Sequence, residues 1–158
     1  MEELWCDDFA LVTQNVDGLH ERAGSRRVHR LHGSIWNMRC TADGRKLENR
    51  EVPLRELPPR CECGAMLRPD VVWFGEMLES SILNAAFLAA EKARTVLVIG
   101  TSSLVYPAAA LPLIALEHGA HVVEFNPEAT PLTELASEYV QGPAALTLPD
   151  WWKENRPI

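Results

Sequence analysis

Thr95-Val96-Leu97-Val98-Ile99 runs without a break into Gly100-Thr101-Ser102-Ser103. The first five residues are apolar or β-branched with no polar alternation, as expected of a central strand in a parallel sheet. Toward the C-terminus, Pro107 suits the first turn of a helix and Gly119 its end. His121-Val122-Val123-Glu124-Phe125 then reads as the next strand, leading into Asn126-Pro127. A last helix is expected over 132–137 and a short strand over 145–148. Toward the N-terminus, Ile82, Leu83, Ala86, Phe87 and Ala90 recur at helical spacing over 80–93, after a short strand over 71–74. Val28–Leu31 and Ser34–Arg39 read as two strands around a turn at Gly33, and Phe9–Thr13 as a buried strand ending at Gln14-Asn15. Alternating strands and helices imply parallel βαβ units with right-handed crossovers, hence an α/β fold with helices on both faces of the sheet. Residues 40–68 break the pattern with charge, proline and three of the four cysteines, and read as a small insert. The expected domains are therefore 1–39 with 69–158, and 40–68.

The chain has 158 residues, 47% apolar and 23% charged, the balance of a folded domain. Fifteen basic against 22 acidic side chains give a formal charge of −7. That charge argues against a nucleic-acid partner, which needs a basic face, but leaves room for a basic protein substrate. Met1–Asp8 lacks the basic start of an export signal. The longest apolar run, 104–116, is interrupted by Pro107 and Pro112 and is too short to span a membrane. Cysteines in a chain without an export signal read as reduced thiols or metal ligands, so a cytoplasmic location is expected. Cys6, far upstream of the insert, is expected to be a buried thiol.

In open α/β sheets, ligands sit beyond the carboxyl ends of the strands. Three such ends carry small or polar groups: Gln14-Asn15-Val16-Asp17, Gly100-Thr101-Ser102 and Asn126-Pro127-Glu128. They are expected to face one crevice. Gly100 lets the backbone approach a ligand, Thr101 and Ser102 suit phosphate or ribose oxygens, and Asn126 or Glu128 suits ribose hydroxyls. Each of these could instead be an ordinary loop residue; three together favour the ligand.

The motifs Thr13-Gln14-Asn15-Val16-Asp17-Gly18-Leu19-His20, Leu31-His32-Gly33-Ser34 and Arg68-Pro69-Asp70-Val71-Val72-Trp73-Phe74-Gly75-Glu76 follow in order along the chain. Gly100-Thr101-Ser102-Ser103-Leu104-Val105-Tyr106-Pro107, Phe125-Asn126-Pro127-Glu128 and Gly142-Pro143-Ala144 complete the series. In these motifs the chain resembles the sirtuins, the NAD-dependent protein lysine deacylases, and most closely their bacterial and mitochondrial branch. The resemblance implies a Rossmann-like sheet, NAD as cofactor and acylated lysine peptides or proteins as partners. It implies that Gln14, Asn15, Val16 and Asp17 hold the nicotinamide end of NAD and that His32 is catalytic. Gly100, Thr101 and Ser102 would contact ADP-ribose, Asn126, Pro127 and Glu128 the adenosine ribose, and Ala144 the adenine. Val72 would accept the acyl-lysine N–H through its carbonyl, and Trp73 and Phe74 would line the lysine tunnel. The loops holding Phe74, Gly75 and Glu76, and Val105, would take the peptide as an added strand. A ribose hydroxyl must lose a proton in this chemistry, and an imidazole titrates near working pH. His20 reads as structural, and no motif supports His29, His118 or His121.

Two departures stand out. Sirtuins usually carry two Cys-x-x-Cys pairs on zinc. Here Asp43 stands in place of a partner for Cys40, and Cys61 and Cys63 have one residue between them. Cys40, Cys61 and Cys63 with Asp43 form a degenerate ligand set, and a metal-free, zinc-ribbon-like insert packed on Leu54, Leu57 and Met66 is expected. The family also has an upstream strand and a Gly-Ala-Gly phosphate loop, which these residues lack; in one branch a Tyr and an Arg that select acidic acyl groups follow. The expectation is an incomplete Rossmann-like sheet, with an exposed strand edge that a complementary N-terminal chain would cover. The alternative is an inactive remnant that binds a peptide or partner. A hydride-transferring enzyme is disfavoured, because no G-x-G-x-x-G is present.

Overall fold

The computed structural model describes residues 1–156, which form two compact units, Met1–Asn84 and Ala85 onward. In the first, a helical turn α1 (Glu2–Trp5) precedes strand β1 (Leu11–Thr13). After the short helix α2 (Leu19–Arg22) comes β2 (Val28–Arg30), which pairs parallel with β1, Leu11 facing Val28. The Glu2 carboxylate accepts the backbone N–H groups of Arg26 (2.9 Å) and Arg27 (3.0 Å), tying the N-terminus to the start of β2. Cys6 is exposed on the turn that follows α1, contrary to the expected buried thiol. It lies in the short turn Cys6–Asp8, where its thiol donates to the Glu3 carbonyl at 3.6 Å.

Strand β3 (Gly33–Cys40) is the centre of an antiparallel sheet with β4 (Lys46–Glu48) on one side and β5 (Leu67–Val71) on the other. The strand expected over 71–74 therefore lies upstream; Arg68 and Pro69 disguise it in the sequence. Met38, Cys40, Cys61 and Leu67 form the local core, with Leu47 and Ala65 packed against it. The expected packing on Leu54, Leu57 and Met66 is not what holds this region. Leu57 is 78% and Met66 52% exposed, because the cysteine-bearing turns occupy the interior.

The second unit begins within α3 (Ser80–Lys92), whose Ala86 and Ala90 are buried. β6 (Thr95–Ile99), β7 (His121–Asn126) and β8 (Glu138–Gln141) form a parallel sheet in that order. Within it β7, not β6, is the central strand, buried from Val122 to Phe125. Its sides alternate: Val122 packs with Ala115 of α4 (Leu111–Glu117), and Phe125 meets Trp151 of α5 (Ala144–Asn155) edge to face at 5.6 Å. Helices thus cover both faces of this sheet. No helix among the described residues is long and apolar enough to cross a membrane.

Two expected elements are absent here. Residues 132–137 are a string of turns, and 145–148 lie inside α5. The cause of the first is Glu124, fully buried on β7, whose carboxylate accepts the hydroxyls of Thr130 and Thr133. Those hydroxyls in turn accept the N–H groups of Leu132 (3.1 Å) and Thr130 (2.8 Å), winding the chain around the acid. The second follows from Pro143, extended at the N-cap, whose carbonyl accepts Leu146 N–H at 2.9 Å and opens a helix.

Candidate functional site

In the first unit β1 ends at Thr13, and its carbonyl accepts Leu31 N–H at 3.0 Å, which fixes the turn carrying His32. The half-buried imidazole meets the Gln14 carbonyl through Nδ1 at 3.2 Å. A carbonyl only accepts, so Nδ1 carries the hydrogen, and in the neutral ring Nε2 carries the lone pair. The backbone of the same residue reaches the other way, His32 O accepting Val72 N–H at 3.0 Å. One residue therefore ties the Gln14–Asp17 loop to the Val72–Glu76 loop.

The Gln14–Asp17 loop is held mostly through its main chain. Val16 O accepts Ile35 N–H (3.0 Å), and Asp17 O accepts the Trp36 indole N–H (2.6 Å). Asn15 N–H donates to Thr13 Oγ1 (3.1 Å), and Leu19 N–H to Asp17 Oδ1 (2.9 Å). The Asn15 side chain is left exposed. In the other loop, Val72 is half-buried, while Trp73 is 58% and Phe74 fully exposed. Glu76 Oε2 accepts Trp73 N–H (3.1 Å) and Oε1 accepts the Arg68 guanidinium (2.8 Å). Those two donors, the backbone N–H first, hold the Glu76 carboxyl below the usual range. Arg68 belongs to the motif that ends at Glu76, but the motif alone assigns it no role.

In the second unit, Gly100 takes a left-handed φ of +62° and donates to Phe125 O at 2.9 Å. The Thr101 carbonyl accepts the Asn126 amide at 2.8 Å, while Asn126 O accepts Gly142 N–H and the Tyr139 hydroxyl, both at 3.1 Å. Gln141 Nε2 donates to Pro127 O at 3.2 Å. The ends of β6 and β7 and the start of α5, with half-buried Ala144, are thereby brought together. Ser102, Glu128 and Val105 are exposed. Tyr139 is a tie that sequence reasoning missed, since the strand carrying it gave no apolar signal.

The cysteines converge despite their irregular spacing. The sulfur atoms of Cys40, Cys61 and Cys63 lie within 4.8 Å of one another, Cys40 and Cys63 at 3.5 Å. Two turns bring this about: Gly44 N–H bonds to Cys40 O (3.0 Å) and Gly64 N–H to Cys61 O (2.8 Å), both glycines left-handed. Backbone N–H groups of Asp43 and Ala42 favour the Cys40 thiolate, but burial, the Asp43 carboxylate and Cys63 override them and push this thiol up to about 11. The Cys63 thiol is lowered, chiefly by the backbone N–H of Ala65 and then by the neighbouring thiols. Convergent sulfurs that receive backbone N–H groups suit a soft divalent metal, so these residues fit zinc.

Residues 3–107 match the profile of the Sir2 family. An "NAD-dependent protein deacylase" of Aquifex aeolicus (strain VF5) is 50% identical over 142 residues, which cover 89% of this chain and 59% of that one. A protein of the same description from Mycolicibacterium paratuberculosis is 46% identical over 152 residues, 92% of this chain and 64% of its own. The chain thus spans about three-fifths of the length of these relatives. A solved "Sir2 homolog-NAD complex" superposes with a TM-score of 0.88 at 45% identity, covering 92% of this chain and 57% of the other. A "Sir2-p53 peptide-NAD+" structure does so at 0.84 and 32%, covering 92% and 62%. The α/β, Rossmann-like fold is common to them. With the family profile matched along two-thirds of its length and its strand-end loops closed by their own hydrogen bonds, this chain belongs to the Sir2 family.

Proposed function

We propose that the chain spans the NAD- and peptide-binding region of an NAD-dependent protein-lysine deacylase, residues 1–39 and 69–158 forming that domain and 40–68 a small degenerate zinc-module insert. The observation that carries the reading is His32, held at Nδ1 by Gln14 O and, through its backbone, by Val72. Bound NAD would supply a ribose carbon activated by its nicotinamide leaving group. Gln14, Asn15, Val16 and Asp17 orient the nicotinamide ribose end, and His32 Nε2 takes the proton of a ribose hydroxyl. The Val72 carbonyl, in the loop that His32 O anchors through Val72 N–H, would accept the acyl-lysine N–H. Trp73, Phe74, Gly75 and Glu76, with Val105, border the substrate chain. Gly100, Thr101 and Ser102 take ADP-ribose oxygens, Asn126, Pro127 and Glu128 the adenosine ribose, and Ala144 the adenine. The place of action is the cytoplasm.

An acyl-lysine peptide, NAD and this chain supplemented with the N-terminal segment of a relative should release nicotinamide and deacylated peptide. Peptide binding by calorimetry, with neither NAD binding nor turnover, would instead establish a binding module.

Cys40, Cys61 and Cys63 would hold a zinc ion, while the Asp43 carboxylate lies beside Cys40, outside the three-sulfur cluster, and is bonded by Arg45. The ion's role there is to staple the turns of the insert. Metal analysis should find one zinc per chain, lost on Cys40→Ser or Cys61→Ser. Chelation should destabilise the protein by about 3 kcal/mol for zinc at a hundredfold over its Kd, read from thermal unfolding. A chain free of metal at unchanged stability removes zinc from the account.

A further inference from the structure

The Val72–Glu76 loop carries exposed apolar side chains that bury almost nothing. Phe74 is 100% and Trp73 58% exposed, and Met77 just beyond is 89% exposed, so apolar burial does not hold this loop in shape. Polar ties do. Glu76 N–H donates to Trp73 O at 2.9 Å, and the Glu76 carboxylate spends one oxygen on Trp73 N–H and the other on Arg68. Arg68 also reaches back to the Val71 carbonyl at 3.4 Å, and Gly75 turns the chain with a φ of +89°. Arg68 itself is anchored in the ladder, opposite Arg39 of β3.

We propose that Arg68 and Glu76 form a clasp that presents the Val72 carbonyl and the Trp73 and Phe74 side chains to an extended acyl-lysine chain. Glu76 is then a positioning residue that acts through the loop. This inference rests on the deacylase reading for its ligand, but not for the clasp itself. Because both carboxylate oxygens are engaged within the loop, selectivity among peptides falls to main-chain pairing and the exposed rings.

The pair is partly exposed, with Arg68 at 29% and Glu76 at 40%, so the expected effect is moderate. Chymotrypsin cleavage after Trp73 or Phe74 should quicken roughly three- to tenfold in Arg68→Ala and Glu76→Ala, as for loss of a charge-assisted hydrogen bond. The exchange Arg68→Glu/Glu76→Arg should recover part of the protection. Glu76 has its carboxyl lowered, so the clasp is complete above the ordinary carboxylate range. The Trp73 and Glu76 amides should lose exchange protection only as the pH falls through that lowered value. Cleavage of both alanine variants at the wild-type rate overturns the clasp. Should those variants open at every aromatic site, Glu76→Gln decides, since it keeps an acceptor for Trp73 N–H and drops the charge. Wild-type cleavage of that variant also overturns the proposal, and faster cleavage at Trp73 and Phe74 alone supports it. Acyl-peptide affinity, read by calorimetry, should fall in the same order as loop protection. If the wild type binds no acylated peptide while cleavage ranks as expected, the deacylase reading fails and the clasp stands.

Discussion

Gly33→Ala collapses the first unit. A Cβ built at Gly33 lies 2.0 Å from the carbonyl oxygen of Asp70, inside any real contact distance, and the neighbour is backbone. Gly33 faces Val71 in the antiparallel pair of β3 and β5, so the methyl group pushes directly on the ladder. Asp70 has little freedom to retreat. Its carboxylate is 8% exposed and salt-bridged by Arg39 and by Lys46, each at 3.0 Å, and Lys46 is bound again by Glu79 at 3.2 Å. The φ of +79° adds the left-handed penalty, about 1–2 kcal/mol for a residue with a Cβ. The clash is the larger part, because relief requires β5 to leave its register. We expect a total loss of about 4 kcal/mol or more, in the range reserved for backbone incompatibility and broken packing. Urea unfolding of the purified variant checks this; a midpoint within error of wild type would show that β5 yields freely. The same displacement moves Val72 away from His32 O, so a surviving fraction should bind acyl-lysine peptide poorly.

The second large effect is chemical. On the deacylase reading proposed above, His32→Ala and His32→Asn in the chain supplemented with a relative's N-terminal segment should each reduce formation of deacylated peptide by about 10²- to 10⁴-fold, the contribution of a positioned general base. The His32 imidazole meets Gln14 O through Nδ1, while the backbone carbonyl of the same residue accepts Val72 N–H. Asparagine retains an N–H donor for Gln14 O but presents no basic nitrogen where Nε2 stood. The bond from Val72 N to the backbone carbonyl survives both changes, so thermal unfolding should stay close to wild type. Lost turnover with retained fold separates base chemistry from loop support. Full turnover by either variant removes His32 from the reaction.

The two effects differ in how far the sequence announces them. Leu31-His32-Gly33-Ser34 marks the histidine by motif alone, but the reason Gly33 tolerates nothing larger is the Asp70 carbonyl, 37 positions further along the numbering. Parallel strands β6 and β7 are legible because Thr95–Ile99 and His121–Phe125 are dense in β-branched residues. Ala144–Leu148 has no such signature: a short apolar run suits a strand or a helix equally, and Pro143 decided it. Glu138–Gln141 is not legible as a strand because two of its four residues are polar, although it pairs in register with Val123–Asn126.

By itself the sequence determined the α/β class, the order of the strands that carry the loops, and the residue types at their ends. Those follow from local apolar pattern and turn chemistry, which act over a few residues. Tertiary structure alone decided which groups meet: His32 with Gln14, Asn126 with Thr101, Glu124 with Thr130 and Thr133, and three sulfurs at spacings that look broken on paper. A buried polar group must find a partner, and the partner is chosen by the packed chain rather than by neighbours in sequence.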